Sequence, residues 1–581
     1  MNIIQVSALL AKEGFSLPTL NVLVPNVDNY KALLLQPHGD IEVRERGVRN
    51  KDRELAYRQY GRFLEDACHV GADFVATPEY SMPWKSLIDA LKAGVVPAQN
   101  KLWARGCESI KYSELEVLRD ELSESISIIF EPLDNQNDKF LSPLAYVFNV
   151  TDKRGEEHKA LLVQFKTHPL GDADHFEVNG MQRGTSIYQF SGGQGDLKLT
   201  TLICADVFSF EDLHAQAVYD RGLILNIQLN PAPRHGKFLG SRDRILGFSG
   251  DATEVICLNW ASEVCLWHDQ VKKCWNNISA SAWYIKAKEF DDSDNTLRQN
   301  HQRGFYYTWH KPLRTHALFL NFDTATFLFD ATKVAHIGVP GAVSTRRGPQ
   351  LIRRCVWDDE DSKWSEHESA ESGFSSISNE SGSAENDIKR IIQENPLAAE
   401  RALALSAGEI SQGDLWYTLR WLDSCVLDAS EVILRVTFCQ DTDDRAKRFR
   451  IARLRRLSRL WSVINTDDNL PPSIEDIKDN VRLEWVKNSP HQNVISGEDK
   501  RATLIYMSED STIARVEEVK AKAAEYIRRH FTSDSERLSA LQRLVVWYRN
   551  DNDQIVPIEP HHYVQFDEAR EASEFDIGRQ G

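Results

Sequence analysis

The sequence predicts an α/β domain followed by a mainly helical one. Three observations carry this expectation. Short apolar runs alternate with polar helical patterns from about 30 to 340, an acidic and serine-rich stretch occupies 358–387, and helical periodicity dominates 390–580. With 581 residues, 42% of them apolar, the chain is too long for one ordinary core and is expected to hold two or three domains.

In the first domain YKALLLQ at 30–36 reads as a strand. Residues 52–70 place Ala56, Tyr60, Phe63, Leu64 and Ala67 at helical spacing, and Gly71 turns the chain into a second strand at 73–77 that ends at Pro78 and Glu79. Further strands are expected at 125–130, at 145–150, at 159–165 running into Lys166, and at 197–203 running into Cys204. A helix at 210–221 and strands at 223–229 and 254–260 follow. The glycines of SGGQGD at 191–196 suit a tight turn between two strands, since a phosphate loop would instead open a helix. The domain reading is 1–350, an acidic flexible linker over 351–389, and an accessory domain over 390–581 with helices at 398–407, 445–463, 514–531 and 535–548.

A formal charge of −17 argues against a protein whose whole surface grips nucleic acid. The N-terminus lacks the basic and apolar regions of a secretory signal, and no stretch is long and apolar enough to span a bilayer, so a cytoplasmic protein without a membrane partner is expected. Nine cysteines without CxxC pairs indicate neither a zinc ribbon nor a disulfide framework, which fits a reducing compartment. One local exception to the acidic balance is RAKRFRIARLRRLSRLW at 445–461. On a helical wheel Phe449, Leu454, Leu457, Leu460 and Trp461 share one side, Arg445, Arg448, Arg455, Arg456 and Arg459 face away, and Arg450 and Arg453 fall on the apolar side. Ordinary packing with a solvated basic face is the plain reading. A protein or nucleic-acid partner for Arg445 to Arg459 is the alternative.

Glu79, Lys166 and Cys204 each have an ordinary explanation alone, as a cap, a solvated strand end and a small core residue. Together they place a carboxylate, an ammonium and a thiol at strand ends, where α/β domains collect reactive groups. That set suits nucleophilic attack on an unreactive carbonyl or nitrile carbon. Cys204 would attack, Glu79 would move the proton and later activate water, and Lys166 with the backbone N–H of Ala205 would hold the oxyanion. The positive charge of Lys166 is expected to favour the thiolate and to keep Glu79 ionised.

FVATPEY at 74–80, LLVQFKTHPLG at 161–171 and LTTLICADVFSF at 199–210 resemble, in order, the Glu, Lys and Cys motifs of the nitrilase superfamily. The segments YVFNVTDKRG at 146–155, RGLILNIQLNPAP at 221–233 and EVICLNWAS at 254–262 are similar to the family's neighbouring strands, so the resemblance covers roughly the first 340 residues. It implies a four-layer α-β-β-α sandwich, catalysis without metal or organic cofactor, and association into dimers or larger assemblies. It also implies a second glutamate after the lysine, which maps best onto Glu177, with Asp172 and Asp174 in the same loop. Phe208-Ser209-Phe210-Glu211 departs from the family's usual sequence after the cysteine, so the resemblance does not specify the shape of the acyl pocket, and beside the family's pattern 84–122 reads as an enlarged loop. The expected function is a hydrolase of a non-peptide carbon–nitrogen bond in a small amide-type substrate, acting through a Cys204 thioester with release of ammonia or an amine. A nitrilase-fold interaction or regulatory module, including one in a bacterial defence system, is the alternative.

Overall fold

The computed structural model describes residues 2–26, 29–44, 46–134, 136, 138–171, 176–192, 197–231, 236–248, 252–261, 264–275, 281–287, 299–300, 303–310, 315–321, 323–334, 349–367, 382–394, 396–409, 444–466, 470–477, 481–484, 491–507 and 511–558. The chain is mixed α/β and divides into two compact units, 1–370 and, for the greater part, 371–581.

Two large sheets build the first unit. One has eight strands in the order Asn2–Gln5, Ser186–Ser191, Lys198–Ile203, Gly222–Ile227, Ala252–Leu258, Ala282–Ala287, Thr315–Leu320 and Phe305–His310. The other runs Lys363–Glu366, Gln350–Asp358, Ala325–Ala331, Tyr30–Gln36, Phe74–Met82, Leu102–Cys107, Pro143–Asp152, Glu157–Phe165 and Ser127–Phe130, with Phe15–Ser16 added beside Pro143–Asp152. Strands buried on both faces carry apolar residues at nearly every position, as GLILNI at 222–227 does here. The sheets face each other: Tyr146 meets Phe190 at 4.9 Å between ring centroids and Trp283 meets Phe329 at 5.5 Å, both edge-on. On the far face of the second sheet a core cluster joins Val75, Trp103, Cys107 and Val163 to Tyr60, Phe63 and Leu64 of the helix Arg53–His69, Leu87 of the helix Trp84–Lys92 and Leu115 of the helix Tyr112–Leu122. The long helix starts on Asp52, whose side chain accepts the N–H of Leu55. Outside the eight-stranded sheet, Arg242 of the helix Gly236–Gly247 lies over the ring of Tyr284.

Several expectations change. The stretch 84–122 is regular, two helices around the strand Leu102–Cys107, because its apolar residues fill both sheet and helix positions. The strand at 73–77 continues through Glu79 to Met82, with an irregular register between Thr77 and Met82. The domain boundary at 350 and the linker over 351–389 are also corrected. Gln350–Asp358 and Lys363–Glu366 form a hairpin that pairs with Ala325–Ala331, and Ser383–Glu394 is a helix. The hairpin's alternating Trp357 and Trp364, in edge-on contact, explain its strand character despite the acidic residues around it. Residues 368–381 of that stretch lie outside the described residues. Ser186–Ser191 and Lys198–Ile203 pair antiparallel, and residues 193–196 of the expected turn lie outside the described residues. Cys265 and Cys274, which their sequence spacing does not mark as a pair, oppose each other on the antiparallel strands Val264–His268 and Val271–Cys274 and form a disulfide.

In the second unit helices pack against a five-stranded sheet that periodicity did not reveal: Arg482–Leu483, Val494–Ile495, Arg501–Tyr506, Leu544–Arg549 and Ile555–Ile558. The helix expected at 535–548 stops at Gln542, and LVVWYR continues as a strand, since a β-branched and aromatic run favours the pleated conformation once a partner is present. The basic helix Asp444–Thr466 is central to this unit. Leu454, Leu457, Leu460 and Trp461 are buried in its core, Arg453 and Arg456 pair with Glu409, and Arg455 and Arg459 are exposed. The side chains of Arg445 and Arg448 lie outside the described residues. Among the described residues no helix is long and apolar enough to cross a membrane.

Candidate active site

Glu79, Lys166, Glu177 and Cys204 converge, although Glu79 lies within one strand and Lys166 and Cys204 follow two others. Lys166 is the first residue after Glu157–Phe165, and its backbone N–H donates to Ser142 O while its carbonyl accepts from Gly184, fixing where the side chain starts. Its Nζ is fully buried and donates to Glu79 Oε1 at 2.8 Å and to both oxygens of Glu177 at 2.7 Å. Glu177 sits in the short helix Phe176–Gly180 and also accepts from Tyr80 OH at 2.8 Å and from the Leu170 N–H at 2.6 Å. The mapping of the second carboxylate onto Glu177 therefore has a geometric counterpart. Asp172 and Asp174 lie outside the described residues.

Glu79 is held at three further points. Its Oε2 accepts the Leu229 N–H at 3.0 Å, Ser142 Oγ lies 3.3 Å from Oε1, and the indole N–H of Trp260 donates to its backbone carbonyl at 2.8 Å. Tyr80, next in the chain, takes φ 56, a left-handed conformation that a buried aromatic adopts only when its surroundings hold it there. Cys204 opens the turn Cys204–Phe208 directly after Lys198–Ile203, with φ 43, so its side chain stands on a sharp strand-to-helix bend. Ala205, the next residue of that turn, is buried beside it.

Asp206 ties the two halves together. One carboxylate oxygen accepts from Thr167 N at 2.7 Å, Thr167 Oγ1 at 2.8 Å and His168 N at 3.0 Å, and the other accepts from Ile203 N at 3.0 Å. The segment after Lys166 is thereby stapled to the turn that carries Cys204. The motif around the cysteine contains Asp206, but its task was not legible there. Tyr80, Ser142, Leu229 and Trp260 gave no signal, because their roles rest on backbone groups and on contacts between distant segments.

The electrostatics differ from the simple expectation. Burial pushes Glu79 up and Glu177 adds to this, against the pull of Lys166, leaving the carboxyl at about 7. Burial would lower Lys166, yet Glu177 and Glu79 outweigh it and hold the ammonium well above its usual range. Burial, and then Glu79, raise the Cys204 thiol well above its ordinary value, against the smaller pull of Lys166. Lys166 thus neither ionises the thiol nor keeps Glu79 fully ionised at neutral pH. At neutral pH the site therefore holds a neutral thiol and a partly ionised carboxylate. Among the described residues, Asp152, Glu156 and His158 are close enough to share a metal ion, but they lie at the turn between Pro143–Asp152 and Glu157–Phe165, the end of the latter strand remote from Lys166.

No family model and no curated protein matches the chain. Among solved structures it is similar to a glutamine-dependent NAD+ synthetase from Acinetobacter baumannii at 14% identity and a TM-score of 0.31, over 55% of this chain and 49% of that one. The match thus spans about half the synthetase's length. It is also similar to an amidase from Nesterenkonia sp. AN1 carrying the acetamide moiety of fluoroacetamide on its active-site cysteine, at 15% identity and a TM-score of 0.26, over 42% of this chain and 80% of that one. A cysteine-to-alanine variant of that amidase, described as from the nitrilase superfamily, matches at 13% identity and a TM-score of 0.25, over 42% and 80% of the two chains.

Proposed function

We propose that the first unit is a carbon–nitrogen hydrolase that opens a small amide-type substrate through a thioester on Cys204. The observation that carries this reading is the buried Lys166 ammonium held between Glu79 and Glu177 at the base of the Cys204 turn. The two carboxylates keep the ammonium charged despite its burial, and a fixed N–H donor of this kind suits an oxyanion developing beside it. Glu79 takes the thiol proton as sulfur bonds to the carbonyl carbon, and the electron pair of the C=O moves to oxygen, where Lys166 and the Ala205 N–H stabilise it. Collapse of the tetrahedral intermediate breaks the C–N bond, and Glu79 returns the proton to the departing nitrogen. Water then attacks the thioester with Glu79 again accepting a proton, and the acid and the thiol are regenerated. Glu177 touches no reacting atom in this scheme and positions Lys166.

The reading includes the α-β-β-α sandwich, supported by the facing sheets and the helices outside them, and a homo-oligomeric, cytoplasmic enzyme, supported by the motif resemblance and the composition. Intact-mass detection of an acyl adduct on Cys204 after exposure to a library of small amides tests it. Adducts on other cysteines only, or none, count against it.

Two outcomes follow from the carboxylates. A general base must be unprotonated, so kcat/KM should fall as pH drops through about 7, the value for Glu79, and a pH–rate profile with its acid limb near 4.5 would contradict the assignment. Glu79→Gln should lose about 10²–10⁴-fold in kcat. Glu177→Gln should lose less, since it weakens the grip on Lys166 without removing the proton carrier, and equal losses would place Glu177 in the proton path.

A further inference from the structure

Among the described residues, Arg105 is the arginine whose three side-chain nitrogens are all buried without a partner. Arg105 lies in the strand Leu102–Cys107, its guanidinium is fully buried, and none of its three nitrogens has a hydrogen-bond partner in the protein. Its one close charge-sensitive contact is the ring of Trp103, 4.9 Å from the guanidinium carbon. The titratable groups facing it are the thiols of Cys107 and Cys68. Burial raises both, Cys107 to about 12, so both are neutral at neutral pH. Burial lowers Arg105 to about 10, which still leaves it a cation there. A buried charge with no counter-charge costs several kcal/mol, and proteins of ordinary stability do not carry such a loss without a compensating partner.

The neighbours of Arg105 share its deficit. Thr77 stands directly across from it in the strand Phe74–Met82, fully buried, with an unpartnered hydroxyl. Trp103, two residues earlier and hence on the same sheet face, is buried with an unpartnered indole N–H. Trp103 and Cys107 belong to the core cluster under the helices Arg53–His69 and Trp84–Lys92, which places this group on the helix-covered face of the sheet. The set consists of a guanidinium, an indole N–H and a hydroxyl, so it is rich in donors and carries one positive charge. That chemistry selects an anion. One charge and few donors select a small monovalent one that sheds its water readily.

We infer that Arg105, Thr77 Oγ1 and Trp103 Nε1 form an internal site for a small monovalent anion of the chloride class, between the second sheet and its covering helices. The anion neutralises Arg105, accepts the three donor groups and stabilises the first unit. It takes no part in the reaction assigned to Cys204.

The test uses the full chain and bromide as the probe. Crystals grown in sodium bromide should show an anomalous peak within hydrogen-bonding distance of the Arg105 guanidinium, and Arg105→Met should lose it. In solution the unfolding midpoint should rise by several degrees when bromide replaces gluconate at constant ionic strength, and Arg105→Met should lose that rise. Should Arg105→Met fail to fold, Thr77→Val is expected to weaken the same response. Bromide confined to the surface with only water at Arg105, or equal bromide responses in wild type and variant, would overturn the inference.

Discussion

Cys204→Ala should abolish turnover while leaving the protein folded, with a loss on the order of 10⁴–10⁶-fold in kcat. The size follows from the site's division of labour. Without the sulfur, Glu79 and Lys166 can still polarise a substrate and a water molecule, but the two-step route through the thioester is closed. The structural cost is small, because only one sulfur atom leaves a buried turn and alanine keeps a side chain at the same backbone angle, φ 43. A cost of about 1 kcal/mol is expected, and thermal unfolding measures it. Intact mass after treatment with a small haloacetamide should show one fewer labelled cysteine than wild type. A variant that keeps substantial activity would sink the mechanism. One that is inactive because it no longer folds would leave the labelling of wild type at Cys204 as the deciding measurement.

Lys166→Met should damage both stability and activity. The ammonium is fully buried and touches three carboxylate oxygens, so its removal leaves Glu79 and Glu177 facing one another without a cation. Breaking a buried charge cluster in this way costs about 3–5 kcal/mol at neutral pH. Removal of an oxyanion partner costs a further factor of about 10²–10³ in kcat. The stability loss should depend on pH in a definite sense. Glu79 already sits at about 7 in the folded state, above its ordinary value of 4.5, and without Lys166 it rises further. A group whose folded pKa is raised favours folding when protonated, so the deficit of the variant should shrink as the pH falls toward about 5 and grow as the pH rises through 7. Chemical unfolding of wild type and variant at both values tests this. An equal deficit at each pH would mean that the cost is packing and not charge.

What was legible in the sequence is the chemistry of the strand ends. Lys166 and Cys204 directly follow apolar runs that form strands and end there, whereas Glu79, expected at a strand end, lies inside Phe74–Met82. Glu177 was legible only as a carboxylate in the right loop, and its contact with Lys166 needed the folded structure. The second unit shows the opposite failure. Its helices follow the 3.6-residue period and were visible, whereas RATLIY and LVVWYR become strands only because they pair with each other in parallel across an intervening pair of helices. The acidic hairpin at 350–366 was hidden for the same reason, since its strands depend on pairing with Ala325–Ala331 and on the Trp357–Trp364 contact across the hairpin.

By itself the sequence determined which reactive groups the protein owns, the order in which its strands present them, and an α/β class for the first domain. The tertiary structure decided which carboxylate grips Lys166, that Asp206 staples the lysine segment to the cysteine turn, and that Glu79 rests near 7. Each of these depends on burial and on contacts between segments far apart in the chain. Periodicity reports only which face of an element is apolar, whereas the free energy of a charge is set by everything that surrounds it once water has been removed.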